Sequence, residues 1–362
     1  MGKHILIISN VSAGLVSFRL EVIERMMQDN KVTILCEDNG RADRLRELGC
    51  TVINTPVDRH GTNPVKELGL IRMYKQYLKQ LKPDIVFTYT IKPNVYAGMA
   101  CAAMGIPYAA NVTGLGTAVE NPGPMQMITL TLYKRGLRKA QRVFFQNDEN
   151  RQFMLSHGVV KQNDKLIPGS GVNLSKYQPL PYPDAETVDF FFISRVMKQK
   201  GIDQYLDAAK AIRAKYPETR FHVCGNCEQD YEQILKELNA DGTIIYHGRV
   251  DDIKGMHAIN CCTIHPTYYP EGMSNVLLES AACARPMITT DRAGCREIVD
   301  NGENGYVVRQ KDSADLIEKV EKFLKLSREE RARMGLNGRN KVEKQFDRRI
   351  IVEAYMDEVE KA

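Results

Sequence analysis

The sequence contains no run of about 18 apolar residues, the length that a membrane-spanning helix requires. The longest candidate, Val95 to Ala110, is rich in small residues and is interrupted by Gly105-Ile106-Pro107. The apolar run at the N-terminus ends at Ser9 and is too short for a signal peptide. We therefore expect a cytoplasmic protein.

The sequence also lacks a cysteine pattern that would indicate disulfide bonds. Its nine cysteines are odd in number and scattered over both halves, which fits reduced thiols. Cys224 and Cys227 form one Cys-x-x-Cys pair, but the adjacent Cys261 and Cys262 do not supply the second spaced pair of a zinc site. There is no Gly-x-Gly-x-x-Gly motif, so a Rossmann dehydrogenase receives little support.

The composition is that of a soluble globular protein, with 43% hydrophobic and 26% charged residues. A length of 362 residues exceeds a typical single core and predicts about two domains. The net charge of +5 is mildly basic, which is compatible with anionic substrates or a membrane surface. We expect no nucleic-acid partner.

Strand-like and helix-like segments alternate along both halves, which predicts parallel, doubly wound sheets. The predicted strands of the first half are His4–Ser9, Lys31–Cys36, Asp84–Tyr89, Tyr108–Val112 and Arg142–Gln146. Those of the second half are Val188–Ile193, Phe221–Cys224, Thr243–Tyr246, Cys262–His265, Met287–Thr290 and Tyr306–Val308. A proline-rich segment between the halves predicts a linker. The predicted domains are therefore 1–170 and 186–345, joined by 171–185.

The segment Tyr268 to Ser280 is the most informative part of the sequence. We expect Glu271 in a loop, followed by a helix from Ser274 to Cys283 that carries Glu279. At about 1.5 Å rise per residue, the start of this helix and Glu279 are separated by roughly 7–8 Å, which suits an extended nucleotide sugar. Its diphosphate would rest on the free amides of residues 273–275, where the helix dipole favours negative charge. An ordinary acidic helix terminus is the alternative.

Two cations follow another predicted strand. Arg195 and Lys200 lie between the strand Val188–Ile193 and a helix predicted from Ile202 to Tyr216. Such a loop leaves the carboxyl edge of a parallel strand, where open α/β sheets bind ligands. The two side chains would neutralise a departing diphosphate, although solvated surface cations would give the same pattern.

Together these segments resemble glycosyltransferase family 4, whose members are retaining enzymes with the GT-B fold. The resemblance rests on Arg195 and Lys200-Gly201, and on Glu271 and Glu279, which are separated by seven residues. It continues through residues 294–306 and covers essentially the whole chain.

The resemblance implies two Rossmann-like domains with a cleft between them. It also implies that the last helix, about Arg348 to Lys361, crosses back, so that residues 346–362 join the first domain. Glu271, Arg195 and Lys200 would be catalytic, with Glu271 facing the sugar. Glu279 would hold the ribose. The implied donor-binding residues are Gly14, Arg195, Lys200, Arg249, Glu271, Gly272, Met273, Ser274, Asn275 and Glu279.

The second domain carries the donor motifs, so acceptor recognition falls to the first. There, residues 89–94 and 111–116 look like the capsule and surface-polysaccharide branch of the family. Gly14, in the predicted loop 11–17, would let the backbone approach a donor phosphate. Many relatives place a histidine near the reacting sugar, but the corresponding loop has none here, which leaves Thr113 or a backbone carbonyl for that place. The other predicted acceptor residues are Arg19, Arg59, Asn63 and Lys92.

Residues 129–142 combine apolar side chains with five cations, which predicts a basic amphipathic helix. Lys134, Arg135, Arg138 and Lys139 would contact the anionic inner face of a membrane, making the protein peripheral there. A core-packed helix with one solvated face is the alternative.

The predicted function is transfer of a sugar, an N-acetylhexosamine or a related hexose, from a UDP-sugar to a polyprenyl-diphosphate-linked saccharide. No Asp-x-Asp motif is present, so we expect basic side chains and helix amides, rather than a metal cofactor, to neutralise the diphosphate. Three alternatives stay open. A nucleotide-sugar epimerase of the same fold would need a general acid and base, and a glycosyltransferase could use a soluble acceptor. A non-catalytic sugar-binding scaffold is the third, and the presence of both glutamates and both cations argues against it.

Overall fold

The computed structural model of the chain describes residues 2–38, 40–57, 64–116, 119, 121–270 and 272–362, without the side chains of 64–66. The chain forms two compact units. The first consists of Met1–Gly171 with Arg348–Ala362, and the second of Val172–Asp347. Among the described residues, every helix is too short or too polar to traverse a lipid bilayer.

The first unit is built on a seven-stranded parallel sheet in the order β3-β2-β1-β4-β5-β6-β7. Its strands are β1 (His4–Val11), β2 (Lys31–Glu37), β3 (Thr51–Asn54), β4 (Ile85–Tyr89), β5 (Tyr108–Val112), β6 (Arg142–Phe145) and β7 (Asp164–Leu166). The central strands are buried on both faces, which is why they are predominantly apolar in the sequence.

Helices cover both faces of this sheet. They are α1 (Ser12–Phe18), α2 (Leu20–Asp29), α3 (Asp43–Glu47), α4 (Pro64–Leu81), α5 (Gly98–Met104), α6 (Pro124–Leu137) and α7 (Asp148–Ser156), with a π-helical turn, Pro93–Ala97, before α5. Two apolar clusters, one on each face, form the core of the unit.

The second unit has a six-stranded parallel sheet in the order β10-β9-β8-β11-β12-β13. Its strands are β8 (Val188–Ile193), β9 (Thr219–Cys224), β10 (Ile245–Gly248), β11 (Cys262–His265), β12 (Met287–Thr290) and β13 (Gly305–Val308). Its helices are α8 (Ile202–Lys215), α9 (Glu232–Ala240), α10 (Ile253–Met256), α11 (Asn275–Ala282), α12 (Ser313–Leu324) and α13 (Arg328–Gln345).

The last helix, α14 (Arg348–Lys361), returns to the first unit. Its Tyr355 ring stacks on Phe144 at 4.8 Å and on Phe87 at 5.4 Å between ring centroids. The Tyr355 hydroxyl donates a hydrogen bond to the side chain of Asn111 in β5. The buried carboxylate of Glu358 pairs with Arg142 at 3.0 Å. The helix therefore completes the core of the first unit.

The predicted linker 171–185 needs correction, because residues 172–185 belong to the second unit and Gly171 belongs to the first. Val172 donates its amide to the Phe346 carbonyl at 2.8 Å. The buried Arg285 donates to the Pro181 carbonyl at 2.8 Å, and the Tyr182 hydroxyl donates to the Cys261 carbonyl at 3.1 Å. The prolines of this segment thus shape an ordered strap on the second unit.

Candidate active site

The strand order of the second unit reverses between β8 and β11, which lie side by side. Ligands of open α/β sheets bind at the carboxyl ends of the strands at such a reversal. The loop after β8 contains Arg195 and Lys200, and the loop after β11 leads through Tyr269 to α11. The two segments singled out in the sequence therefore meet at one end of this sheet.

A glycine allows these two loops to pack together. Lys198–Lys200 forms a single 3-10 turn, followed by Gly201 with φ of 78°, a left-handed conformation that favours glycine. A Cβ atom on Gly201 would lie 2.1 Å from the Pro266 carbonyl oxygen. Beside this contact, the Tyr268 amide donates to the Gln199 carbonyl at 2.9 Å. The close approach of the loops therefore depends on residue 201 having no side chain.

Tyr269 brings the two predicted cations together, and the sequence analysis missed it. The Lys200 ammonium lies 4.9 Å from the centroid of the Tyr269 ring, and the Arg195 guanidinium lies 5.7 Å from it. Lys200 is buried, whereas Arg195 is about half exposed and pairs with Glu228 at 2.7 Å. An anion at this place would meet two positioned positive charges, with Glu228 competing for one of them.

The N-terminus of α11 is the predicted diphosphate cradle. Ser274 caps it, because its Oγ accepts a hydrogen bond from the Leu277 amide at 3.4 Å. The Ser274 amide itself donates to the Gly294 carbonyl at 2.7 Å. This corrects the prediction that the amides of residues 273–275 are all free. The Gly294 amide donates to the Glu297 carboxylate at 2.7 Å. Glu297 therefore stabilises the turn whose Gly294 carbonyl accepts the Ser274 amide. The sequence analysis did not identify Glu297 as a site residue.

The other predicted residues of this segment lie at the start of α11 or on it. Gly272 and Met273 are buried, and Glu279 is half-buried. The Oδ1 atom of Asn275 is buried and has no hydrogen-bond partner in the described part of the chain. Such an orphaned oxygen costs about 1–3 kcal/mol, which a ligand donor would recover. Glu271 lies outside the described residues, so its catalytic role stays a prediction.

His265, the last residue of β11, is a further polar residue that the sequence analysis missed. It is 2% exposed, and neither ring nitrogen has a partner among the residues that the structure describes. Burial, and secondarily the charge of Lys200, lower the pKa of His265 to about 3, so its imidazole is neutral. The sequence signal that could have identified His265 is a titratable side chain at the carboxyl end of the strand Cys262–His265.

Arg249 lies apart from this group. It follows β10, an edge strand that is separated from β8 by β9. Its side chain is 54% exposed and pairs with Asp251 at 3.1 Å. The structure thus places it two strands away from the loop of Lys200, and its donor-binding role stays a prediction.

The first unit has a reversal of its own, between β1 and β4. Gly14 follows β1, Lys92 follows β4, and the half-buried Thr113 follows β5, so these predicted residues come from three neighbouring strands. Gly14 lies in a short helix that begins at Ser12, not in the predicted loop, and a Cβ atom on it would meet no atom within 4 Å. Two predicted acceptor residues lie outside the described ranges: Arg59 and Asn63.

Two predicted acceptor cations are engaged within the first unit. Arg19 is 3% exposed, its guanidinium lies 5.5 Å from the centroid of the Tyr89 ring, and Nη1 donates to the Phe18 carbonyl at 2.8 Å. Arg19 is thus a buried side chain, and its acceptor-binding role stays a prediction. Lys92 pairs with Glu67 at 2.6 Å, and both side chains are about nine-tenths buried. A phosphate at Lys92 would have to displace Glu67.

The basic segment begins on α6 and continues past its end. Lys134, Arg135, Arg138 and Lys139 are all exposed. Tyr133 and Leu137 are buried beneath them, so the predicted division into an apolar and a cationic face is present.

Comparison with known proteins agrees with this geometry. Residues 183–341 match the family model described as Glycosyl transferases group 1, and residues 4–147 match the one described as Glycosyl transferase 4-like. A glycosyltransferase structure from Rickettsia africae is similar with a TM-score of 0.84 at 17% identity, covering 99% of this chain and 98% of that chain. The fold is therefore that of the GT-B glycosyltransferases. The chain belongs to glycosyltransferase family 4, as predicted.

Two named glycosyltransferases and a further solved structure are also similar to the chain. The N,N'-diacetylbacillosaminyl-diphospho-undecaprenol alpha-1,3-N-acetylgalactosaminyltransferase of Campylobacter jejuni is 26% identical over 370 aligned positions, covering 96% of each protein. The capsular polysaccharide biosynthesis glycosyltransferase CapM of Staphylococcus aureus is 31% identical over 167 positions, 45% of this chain and 43% of that protein. Anabaena Alr3699/HepE, solved with UDP and glucose, has a TM-score of 0.82 at 17% identity, covering 99% of this chain and all of that chain.

Proposed function

We propose that the protein transfers a sugar, an N-acetylhexosamine or a related hexose, from a UDP-sugar to a polyprenyl-diphosphate-linked saccharide during surface-polysaccharide or glycan synthesis. The observation that carries this proposal is the pair of cations, Lys200 and Arg195, held on Tyr269 at the strand reversal of the second unit. The name of the Campylobacter jejuni relative, which includes a diphospho-undecaprenol acceptor, supports the choice of acceptor.

The proposed chemistry follows from where negative charge develops. As the bond from the sugar to the diphosphate breaks, charge accumulates on the departing diphosphate. Lys200 and Arg195 neutralise it, together with the dipole of α11. The departing phosphate oxygen then accepts the proton of the acceptor hydroxyl on the same face, which retains the configuration at the sugar carbon. In this scheme Glu271 orients the sugar and Glu279 holds the ribose hydroxyls.

The acceptor is proposed to bind the first unit near Thr113 and Lys92, which follow adjacent strands. The exposed cations Lys134, Arg135 and Arg138 lie on the same unit and would attract it to an anionic leaflet, where a polyprenyl-linked substrate resides. Close approach to Lys92 requires displacement of Glu67, so we expect the acceptor diphosphate to weaken that ion pair.

The test is an assay with a panel of UDP-sugars and a polyprenyl-diphosphate-linked saccharide, with products identified by mass spectrometry and NMR. Lys200→Ala should lower the transfer rate by about 10²–10³, the usual cost of removing a preorganised charge partner. Lys198→Ala is the matched control, because Lys198 lies in the same turn but is exposed. Equal effects of the two substitutions would contradict the proposal. An isomerised nucleotide sugar formed without acceptor would identify an epimerase instead.

A further inference from the structure

The first turn of α6 exposes three large apolar side chains. Met125, Met127 and Ile128 are 53%, 70% and 56% exposed. Single exposed apolar residues are ordinary on protein surfaces, but a contiguous group of them marks an interaction site. Gln126, between them, is fixed by a hydrogen bond from its side chain to the Val119 carbonyl at 2.7 Å, so this end of the helix is tied to the preceding segment.

Met127 and Ile128 share one face of α6 with the cations that follow, whereas Met125 lies at the border with the packed face, in line with Gly136. Residues seven or eleven positions apart lie on the same side of an α-helix, which aligns Met127 with Lys134 and Arg138, and Ile128 with Arg135. The opposite face packs on the core through Thr129, Leu130, Tyr133, Gly136 and Leu137. At about 1.5 Å rise per residue, Ile128 and Lys134 are separated by roughly 9 Å along the axis. The exposed face is therefore apolar at its start and cationic at its end.

A pocket of about 500 Å³ lies beside the cationic end. Lys134 and Arg138 line one side of it, and the segment from Gly158 to Asn163, which includes Lys161, lines the other. In the described part of the chain, no carboxylate forms an ion pair with any of these three cations. The nearby Arg151 differs, because it pairs with Asp164 and with Asp148. The pocket thus offers three positive charges to an external anion.

We propose that this surface docks on an anionic lipid bilayer, with Met125, Met127 and Ile128 inserted among the lipids and a lipid phosphate bound between Lys134, Arg138 and Lys161. A bilayer interface presents an apolar layer and an anionic layer, and amphipathic helices bury their apolar faces about 5–10 Å into it. Because the apolar and cationic halves are separated along the helix axis, docking would place the start of α6 deeper in the bilayer than its end. Each cation at an anionic leaflet strengthens binding about fivefold.

The consequence for transfer rests on the proposed function, but the docking itself is measured without donor or acceptor. The assay is co-sedimentation with phosphatidylcholine vesicles that contain or lack phosphatidylglycerol. Lys134→Glu/Arg138→Glu/Lys161→Glu should weaken binding to anionic vesicles by at least about a hundredfold, because three fivefold attractions are lost and the new carboxylates add repulsion. Lys236→Glu/Lys254→Glu/Lys325→Glu is the control, because these exposed lysines of the second unit change the net charge equally. Thermal melts confirm that each variant is folded.

A second variant tests the apolar half. Met125→Gln/Met127→Gln/Ile128→Gln should weaken vesicle binding by at least about tenfold, because glutamine preserves the helix but does not insert. Its control is Ile259→Gln/Leu336→Gln, which changes exposed apolar residues of the second unit. All variants should retain transfer to a short-chain, water-soluble acceptor. If the wild-type protein binds anionic vesicles but does not transfer sugar to the soluble acceptor, the proposed function is contradicted and the docking proposal is not.

Three results would overturn the docking proposal. The first is equal loss of vesicle binding in the charge-reversed variant and its control, which would reduce the effect to net charge. The second is unchanged binding after removal of the apolar side chains. The third is binding of inorganic phosphate or RNA at the pocket by a wild-type protein that does not bind anionic vesicles.

Discussion

Replacing Gly201 by alanine is the sharpest available test of how the second unit holds Lys200. The new Cβ atom would lie 2.1 Å from the Pro266 carbonyl oxygen, well inside normal contact distance, and the backbone there has φ of 78°. The loop after β8 must then move away from the loop after β11. Such a movement separates Lys200 from the Tyr269 ring, so stability and donor binding should fall together.

Gly242 is a matched control from which the expected loss of stability in Gly201→Ala can be calculated. Gly242 has the same φ of 78°, but a Cβ atom on it would meet nothing within 4 Å. Gly242→Ala should therefore cost only the left-handed backbone penalty of about 1–2 kcal/mol. Gly201→Ala adds overpacking of about 1–3 kcal/mol. At about 2–4 °C per kcal/mol for units of this size, the melting temperature should fall by about 4–20 °C against about 2–8 °C.

The affinity for UDP should also differ between Gly201→Ala and Gly242→Ala. Misplacing the Lys200 charge removes a charge-assisted contact worth about 1.5–3 kcal/mol, so the Kd for UDP should rise by roughly 10- to 100-fold in Gly201→Ala. It should stay unchanged in Gly242→Ala. Differential scanning calorimetry and isothermal titration calorimetry make the measurements. If both variants lose stability equally and bind UDP as wild type does, the reasoning about loop contact is refuted.

Three further predictions concern the reaction and its pH range. Glu271→Gln should lower kcat by about 10²–10³ and Glu279→Ala should mainly raise the donor KM, and equal small effects in steady-state kinetics would contradict these roles. Transfer in excess chelator should stay within a small factor of that in Mg²⁺, whereas complete, metal-reversible loss would show that a metal is required. Burial lowers the pKa of His257 to about 4 and of His265 to about 3, below the ordinary 6.5. The unfolded chain therefore binds more protons than the folded chain below pH 6.5, and the free energy of unfolding should fall toward pH 4 by up to about 1.4 kcal/mol per pH unit for each histidine. Urea unfolding measures this slope, which should be shallower in His265→Leu, and an identical slope would argue against a buried neutral imidazole.

The strands of both cores could be predicted because their burial is continuous. Strands β4, β5 and β8 are predominantly apolar, and their bounds agree with the predictions within one residue. The edge strands β3 and β7 were missed. Thr51–Asn54 and Asp164–Leu166 are exposed or half-buried along their lengths, so their sequences carry no apolar pattern. Their strand conformation is set by pairing with a neighbour.

Residues of the candidate site could be predicted only where they lie next to a secondary-structure element that the sequence itself indicates. Arg195 and Lys200 could be recognised because they follow a buried strand directly. Arg19 packs on Tyr89, the last residue of β4, and the Ser274 amide is occupied by the carbonyl of Gly294. Such contacts join residues far apart in sequence, and neither periodicity nor spacing encodes them.

Because α14 lies at the end of the sequence but packs in the first unit, the first unit is made of two separate chain segments and the second of one. The second unit is contiguous, so its core can form as soon as its own residues are synthesised. The first unit cannot bury Phe87 and Phe144 until Tyr355, which lies beyond the whole second unit, arrives. Val172 and Asp347 pair at the two ends of the second unit, so its folding delivers α14 next to Gly171 and shortens the loop that remains to be closed. During synthesis, the part of the protein that begins first should therefore be the last to become stable.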